Sequence, residues 1–141
     1  MDIEKNKNLR EIFGGEWEKR TFDDQEKDYS EEYDVWLSDI GVSRCTNGES
    51  VAELQTRFVS EVEKITKENV GKTIFIFSHA TPIRVLCAAW NKKNLHEIKD
   101  IPWASNASVT IVEYKNGIFS IIEYGKNDFL GDINTELPDN V

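Results

Sequence analysis

The sequence predicts an α/β fold in which helices flank a mostly parallel sheet and a β-hairpin follows near the C-terminus. Three observations carry this expectation. Thr73-Ile-Phe-Ile-Phe-Ser78 is a short apolar run between Gly71-Lys72 and Thr81-Pro82, the pattern of a strand buried on both faces, as in parallel sheets. Apolar stripes at helical spacing stand on either side of it. Asn116-Gly117 separates residues 108–114 from 118–124, two runs of alternating β-branched residues, which signals a hairpin with a type I′ turn.

Taken in order, residues 2–8 are polar around an isolated Ile3 and read as an edge strand or an extended lead-in. Leu9-Arg-Glu11-Ile-Phe-Gly-Gly15-Glu-Trp17-Glu18 mixes two glycines with apolar anchors, so it reads as a loop held tightly over a core. From Ser30, acidic residues fill a first turn and Tyr33, Trp36, Leu37 and Ile40 recur at helical spacing up to Gly41. An amphipathic helix covering the site region is expected there. Ser50 with Glu53 forms a capping box before the stripe Val51, Leu54, Phe58, Val62 and Ile65, which predicts a long helix ending near Gly71. After the strand, Thr81 is expected to cap the next helix and Pro82 to take its first position. That helix runs through Trp90, followed by a turn at Asn91-Lys-Lys and a short helix over residues 94–99. Beyond Gly125 the composition turns polar, and residues 126–141 are expected to form a partly mobile tail.

Composition narrows the function. With 141 residues, 39% hydrophobic and 30% charged, the chain can bury the core of one domain without disulfide or metal support. Lys and Arg number 17 against 26 Asp and Glu, a net charge of −9, which argues against nucleic acid or anionic lipid as a partner. An anionic substrate would need a locally cationic pocket. Cys45 and Cys87 lack the spacing of a metal site, so reduced thiols and a cytoplasmic location are expected. The N-terminal MDIEKNKN has no basic-then-apolar signal, and no run approaches the roughly 18 apolar residues of a membrane span. No cofactor is implied. With two histidines far apart and no nucleophile elbow, neither a serine triad nor a zinc site can be drawn.

The predicted strand ends on His79, beside the N-terminus of the next helix. Open α/β sheets keep their ligands at such strand ends, and free N–H groups there favour an anion. Phosphate is the expected ligand.

Four motifs in order then carry a family resemblance: Leu9-Arg-Glu11-Ile-Phe-Gly-Gly-Glu-Trp17-Glu18, Gly48-Glu49-Ser50 opening a helix that contains Arg57, Phe77-Ser-His79-Ala-Thr-Pro-Ile-Arg84, and Asn106-Ala-Ser108 leading into a strand. From about residue 9 to residue 124 the chain resembles the histidine phosphatase (phosphoglycerate mutase-like) superfamily. The resemblance implies a phosphoglycerate mutase-like fold and phosphoryl transfer through a phosphohistidine. Under it, residues 1–125 are a partial histidine phosphatase domain, incomplete at the N-terminus.

Phosphoryl transfer needs fixed donors around the equatorial oxygens, a nucleophile on one side and a proton source at the leaving oxygen. By resemblance His79 is the histidine that hydrogen-bonds the phosphoryl oxygens. Ala80 and Thr81 stand beside it where the family commonly has glycines, and Thr81 brings a hydroxyl donor. Glu11 corresponds to the proton donor. Such a carboxyl must stay protonated near neutral pH, a condition that Leu9, Ile12 and Phe13 are placed to supply.

The family's nucleophilic histidine lies in an Arg-His-Gly motif on the first strand, and this chain contains no such tripeptide. Only His79 and His96 are present, and His96 falls in a polar helical stretch that suggests a surface role. The resemblance also implies that two phosphate-binding arginines are missing. The expected function is a phosphatase of small phosphate monoesters in its complete form, inactive as given, with a non-catalytic phosphate-binding or interaction module as the alternative. Phosphatase is preferred to mutase because of the form of the Leu9–Glu18 segment. Arg10, Arg57 and Arg84 can each be read as facing phosphate or solvent. Trp17, Trp36, Trp90 and Trp103 read as packing residues, with Trp17 also a candidate to line the pocket. In the family the first strand lies inside the sheet, so its loss would uncover residues 73–78, and a homo-oligomer formed through that exposed sheet edge is expected.

Overall fold

The computed structural model describes residues 3–135. Four helices, α1 (Phe22–Asp28), α2 (Ser30–Ser38), α3 (Val51–Glu68) and α4 (Ala80–Trp90), precede two strands, β1 (Val109–Lys115) and β2 (Ile118–Lys126). Short stretches of 3-10 helix at Lys7–Leu9, Gly15–Trp17, Ile40–Val42, Leu95–Asp100 and Asp128–Ile133 fill the connections.

Packing of α3 on α4 makes the core. Val51, Leu54, Phe58 and Val62 share one face of α3 because they recur every three or four residues, and they meet Val85, Leu86 and Ala88 of α4, closed off by Ile98 and Ile101. Each such side chain stabilises the fold by about 1.5–3 kcal/mol relative to exposure. The α3 start is held as its sequence predicts: the Ser50 hydroxyl accepts from the Glu53 N–H at 3.2 Å, and the Glu53 carboxylate accepts from the Ser50 N–H at 2.9 Å. Helix α1 was not predicted, although Thr21 and Asp24 form the same reciprocal cap. A second cluster gathers Trp17, Tyr33 and Cys45, with Trp36 packed against them.

The hairpin follows its turn chemistry. Asn116 and Gly117 have φ of 53° and 81°, both positive as a type I′ turn requires, and Tyr114 pairs with Phe119 across the strands. Trp90 at the end of α4 stacks on Phe119, with ring centroids 4.6 Å apart, and so seats the hairpin on the helix layer.

The parallel sheet is where expectation and structure part. Among the described residues the sheet is this two-stranded antiparallel hairpin. Residues 73–78 make no backbone hydrogen bond there. Burial still alternates along them with the period of an extended chain: Ile76 packs on the core, while Phe75 is 71% and Phe77 87% exposed. The apolar run therefore has one face covered and not two. No strand among the described residues lies alongside to cover the other face. A groove of about 630 Å³ separates this run from β1, with Phe58, Val62 and Leu86 among its lining.

Two local expectations also change. Helix α4 starts two residues early, with His79 in the capping position and no side-chain cap bond, so Thr81 and Pro82 are its second and third residues. Proline fits there because the first N–H groups of a helix have no intrahelical partner. The lead-in at residues 3–6 forms no strand, and the tail begins with the Asp128–Ile133 turn, residues 136–141 lying outside the described residues. No described helix is long and apolar enough to cross a membrane.

Candidate functional site

Glu11 lies between the two 3-10 turns that open the chain, in a stretch with no regular backbone ladder. Its half-buried carboxylate accepts a hydrogen bond from the Ile12 N–H at 2.7 Å. It also meets the Thr81 hydroxyl and N–H at the start of α4 and feels the charge of His79. Burial pushes the Glu11 pKa upward, outweighing the Ile12 N–H, His79 and Thr81, all of which act to lower it. The structure therefore brings Glu11, His79 and Thr81 together, with burial making the Glu11 carboxyl a weaker acid than usual.

His79 is exposed, at the end of the unpaired run and in extended conformation with φ −124° and ψ 173°. Ala80 is half-buried and Thr81 buried. The Ser78 hydroxyl donates to the Leu9 carbonyl at 2.8 Å, which ties the His79 segment to the Glu11 loop. An exposed imidazole beside the Ala80 N–H at the start of α4 and a carboxyl whose pKa burial raises can bind an anion and supply a proton to it.

The three arginines resolve differently. Arg57 faces neither solvent nor an open pocket: it grips the Glu49 carboxylate through Nε at 2.6 Å and Nη2 at 2.8 Å, and donates to the carbonyls of Asn8, Arg10 and Glu11. Arg84 is buried, donates to the carbonyls of Ile101 at 2.6 Å and Lys99 at 3.0 Å, and stacks on Trp103. It holds the 95–101 segment onto α4. Arg10 alone of the three stays exposed.

Two glycines let the Glu11 loop press against residues 45–49. Gly15 has φ of 57°, and a Cβ there would stand 2.3 Å from the Thr46 carbonyl oxygen; a Cβ on Gly48 would stand 2.4 Å from that of Phe13. Sequence reading took Glu49 only as part of a helix-start motif, and its partnership with Arg57 was missed. No local signal pointed to it, since Glu49 stands before the helix that carries Arg57.

The remaining candidates lie elsewhere. Trp17 is buried with Tyr33 and Trp36 and donates from Nε1 to Thr46 Oγ1 at 3.2 Å, so it packs. His96 is exposed, with Nδ1 2.5 Å from Asp39 Oδ2. Burial raises the Cys45 thiol to about 11 and the Cys87 thiol to about 12, which leaves both protonated and unreactive at neutral pH. Among the described residues no group of three or more His, Cys, Asp or Glu side chains is arranged to hold a metal ion.

Solved structures repeat this architecture. The chain is similar to YhfR from Bacillus stearothermophilus at 27% identity and a TM-score of 0.82, over 87% of this chain and 61% of that one. It is also similar to an alpha-ribazole phosphatase from Shigella flexneri (20% identity, TM-score 0.68, 82% of this chain and 57% of that one). A phosphoserine phosphatase from Entamoeba histolytica matches at 20% identity and a TM-score of 0.72, over 87% of this chain and 61% of that one. The chain thus spans about three fifths of the length of these solved chains. No curated protein sequence matches it. The sequence profile of the histidine phosphatase superfamily (branch 1) matches residues 1–127, the span that holds Glu11, Glu49, Arg57, His79 and Thr81, and the chain belongs to that superfamily.

Proposed function

We propose that this chain carries the general-acid and phosphate-binding side of a phosphatase site for small phosphate monoesters. The observation that carries the reading is the half-buried Glu11 carboxyl set against His79 and Thr81. His79 and the Ala80 N–H at the start of α4 hold the phosphoryl oxygens, Thr81 holds the Glu11 carboxyl, and Glu11 gives its proton to the leaving oxygen as the P–O bond breaks. The nucleophile is a histidine supplied with the missing first strand, seated in the groove beside residues 73–78. Its nitrogen forms the new bond to phosphorus, and water then hydrolyses the phosphohistidine to release inorganic phosphate. Two free, buried cysteines support a reduced, cytoplasmic setting.

The test is turnover of a panel of phosphate monoesters. The 141-residue chain should show none, and joining a strand with an Arg-His-Gly motif upstream should create it. In that joined form Glu11→Gln should slow esters of poor leaving groups by roughly 10²–10⁴-fold more than those of good ones. Activity of the unjoined chain that His79→Ala abolishes would reassign the nucleophile.

One observation favours the second reading, a phosphate-binding module without catalysis: both histidines of the chain lie outside any nucleophile motif. Saturable phosphate binding that His79→Ala removes, with no activity in the joined form, would select it. Under either reading the uncovered run at 73–78 is proposed to pair with a second copy, making a dimer or larger assembly at micromolar concentration.

A further inference from the structure

We propose that Glu49 and Arg57 are positioning residues, which together fix the Glu11 carboxyl against Thr81 and His79 and shield it from the Arg57 charge. Its catalytic meaning rests on Glu11 as the acid; the placement itself does not.

The loop that carries Glu11 has no ladder of its own, so something else must satisfy its carbonyls. A guanidinium offers five N–H donors in a rigid plane, and Arg57 uses every one. Nη1 donates to Asn8 O at 2.9 Å and Arg10 O at 3.1 Å. Nη2 donates to Glu11 O and Glu49 Oε2, each at 2.8 Å, and Nε to Glu49 Oε1 at 2.6 Å. Glu49 completes the grip from the far end, accepting from the Phe13 N–H at 3.1 Å while its own N–H donates to Phe13 O at 2.8 Å. Glu11 sits inside this frame. Its side chain then has one short path, over Ile12 to Thr81.

Charge is the second half of the argument. A guanidinium bonded to the Glu11 carbonyl would by itself favour the ionised carboxyl. The two oxygens of Glu49 answer it with a bidentate pair. Burial works against the Glu49 charge, but the Arg57 hydrogen bonds and the Phe13 N–H still hold its pKa below the ordinary value. The other groups facing Glu11 are His79 and Thr81 from the start of α4 and the neutral Cys45 thiol. The frame thus uses a cation to grip the loop without leaving its charge beside the acid.

The test is an NMR titration of the Glu11 carboxyl in the 141-residue chain, assigned with Glu11→Gln, so it needs no phosphatase activity. Wild type should titrate above the ordinary glutamate range. Glu49→Gln, which keeps volume and one acceptor oxygen, should lower the midpoint because Arg57 loses its counter-charge. Arg57→Lys replaces the fork with a single point charge; it should lower the midpoint too and speed amide exchange at Ile12 and Phe13 by about tenfold or more. A Glu11 midpoint unchanged in folded Glu49→Gln overturns the proposal, whether or not Arg57→Lys folds. A purely structural pair would shift melting temperature and leave that midpoint alone.

Discussion

Residues 8–13 and residues 73–78 meet at the Ser78–Leu9 hydrogen bond and differ in how their backbones are satisfied. The first stretch is mixed in polarity and has no regular ladder, yet its carbonyls at 8, 10 and 11 are taken by Arg57 and that at 13 by Glu49. The second is the most strand-like run in the chain, yet it has no backbone partner among the described residues and turns Phe75 and Phe77 outward. Irregular backbone can be completed by one well-placed side chain. Strand backbone can be completed only by another strand.

The contrast can be broken most severely at Arg57. Replacing it by Met should destabilise the fold by about 3–5 kcal/mol, because the half-buried Glu49 charge loses its cation and three carbonyls lose their donor; urea denaturation reads this directly. Ser50→Ala acts on the same helix more mildly. Loss of its cap should cost about 1 kcal/mol with no change in the denaturant slope.

A smaller effect separates wild type from Glu11→Gln by its dependence on pH. Burial raises the folded pKa of Glu11 above its ordinary value, so between the two values the native state holds a proton that the unfolded chain has released. Stability from this group is complete below the unfolded value and declines as pH rises through the folded one. Carboxylates whose pKa is lowered, such as Glu49 and Glu61, slope the other way in both proteins and cancel in the difference. Wild type should therefore lose stability relative to Glu11→Gln as pH rises above the ordinary glutamate value, and a flat difference would mean that the carboxyl is solvated.

The smallest change in stability belongs to the exposed run. Phe75→Lys with Phe77→Lys should alter the unfolding free energy by no more than about 0.5 kcal/mol, since neither ring is packed, while abolishing self-association in light scattering. A large loss of stability would show that both rings are covered in solution, and the comparison would collapse.

What the sequence revealed depended on how local the determinant is. The Ser50 cap, the α3 stripe and the Asn116-Gly117 turn are each specified within a few residues and appear as read. Burial of residues 73–78 depends on neighbours that propensity does not reveal, so the pattern is strand-like while the run has no strand partner among the described residues. Arg84 was read as facing phosphate or solvent and does neither, because its acceptors, the carbonyls of Lys99 and Ile101, are 15 and 17 residues away. Glu11 and His79 were legible as residues through their motifs; the Glu49–Arg57 frame was not, since nothing local announces that a guanidinium spends its donors on a distant loop. Thr81 was read as a helix cap, and the structure turns its hydroxyl to Glu11 instead.

The stack of Trp90 on Phe119 has an optical consequence. Phe119 lines the groove beside residues 73–78, its ring plane is within 20° of the indole, and the Trp90 Nε1–H is buried without a hydrogen-bond partner among the described residues. An indole in that state emits toward the blue and is sensitive to any movement of the ring against it. A strand entering the groove must displace or clamp Phe119, so the emission and near-ultraviolet dichroism of Trp90 would register its arrival without any attached dye. The Trp17 ring packs in a separate cluster, which makes it an internal reference for the same spectrum.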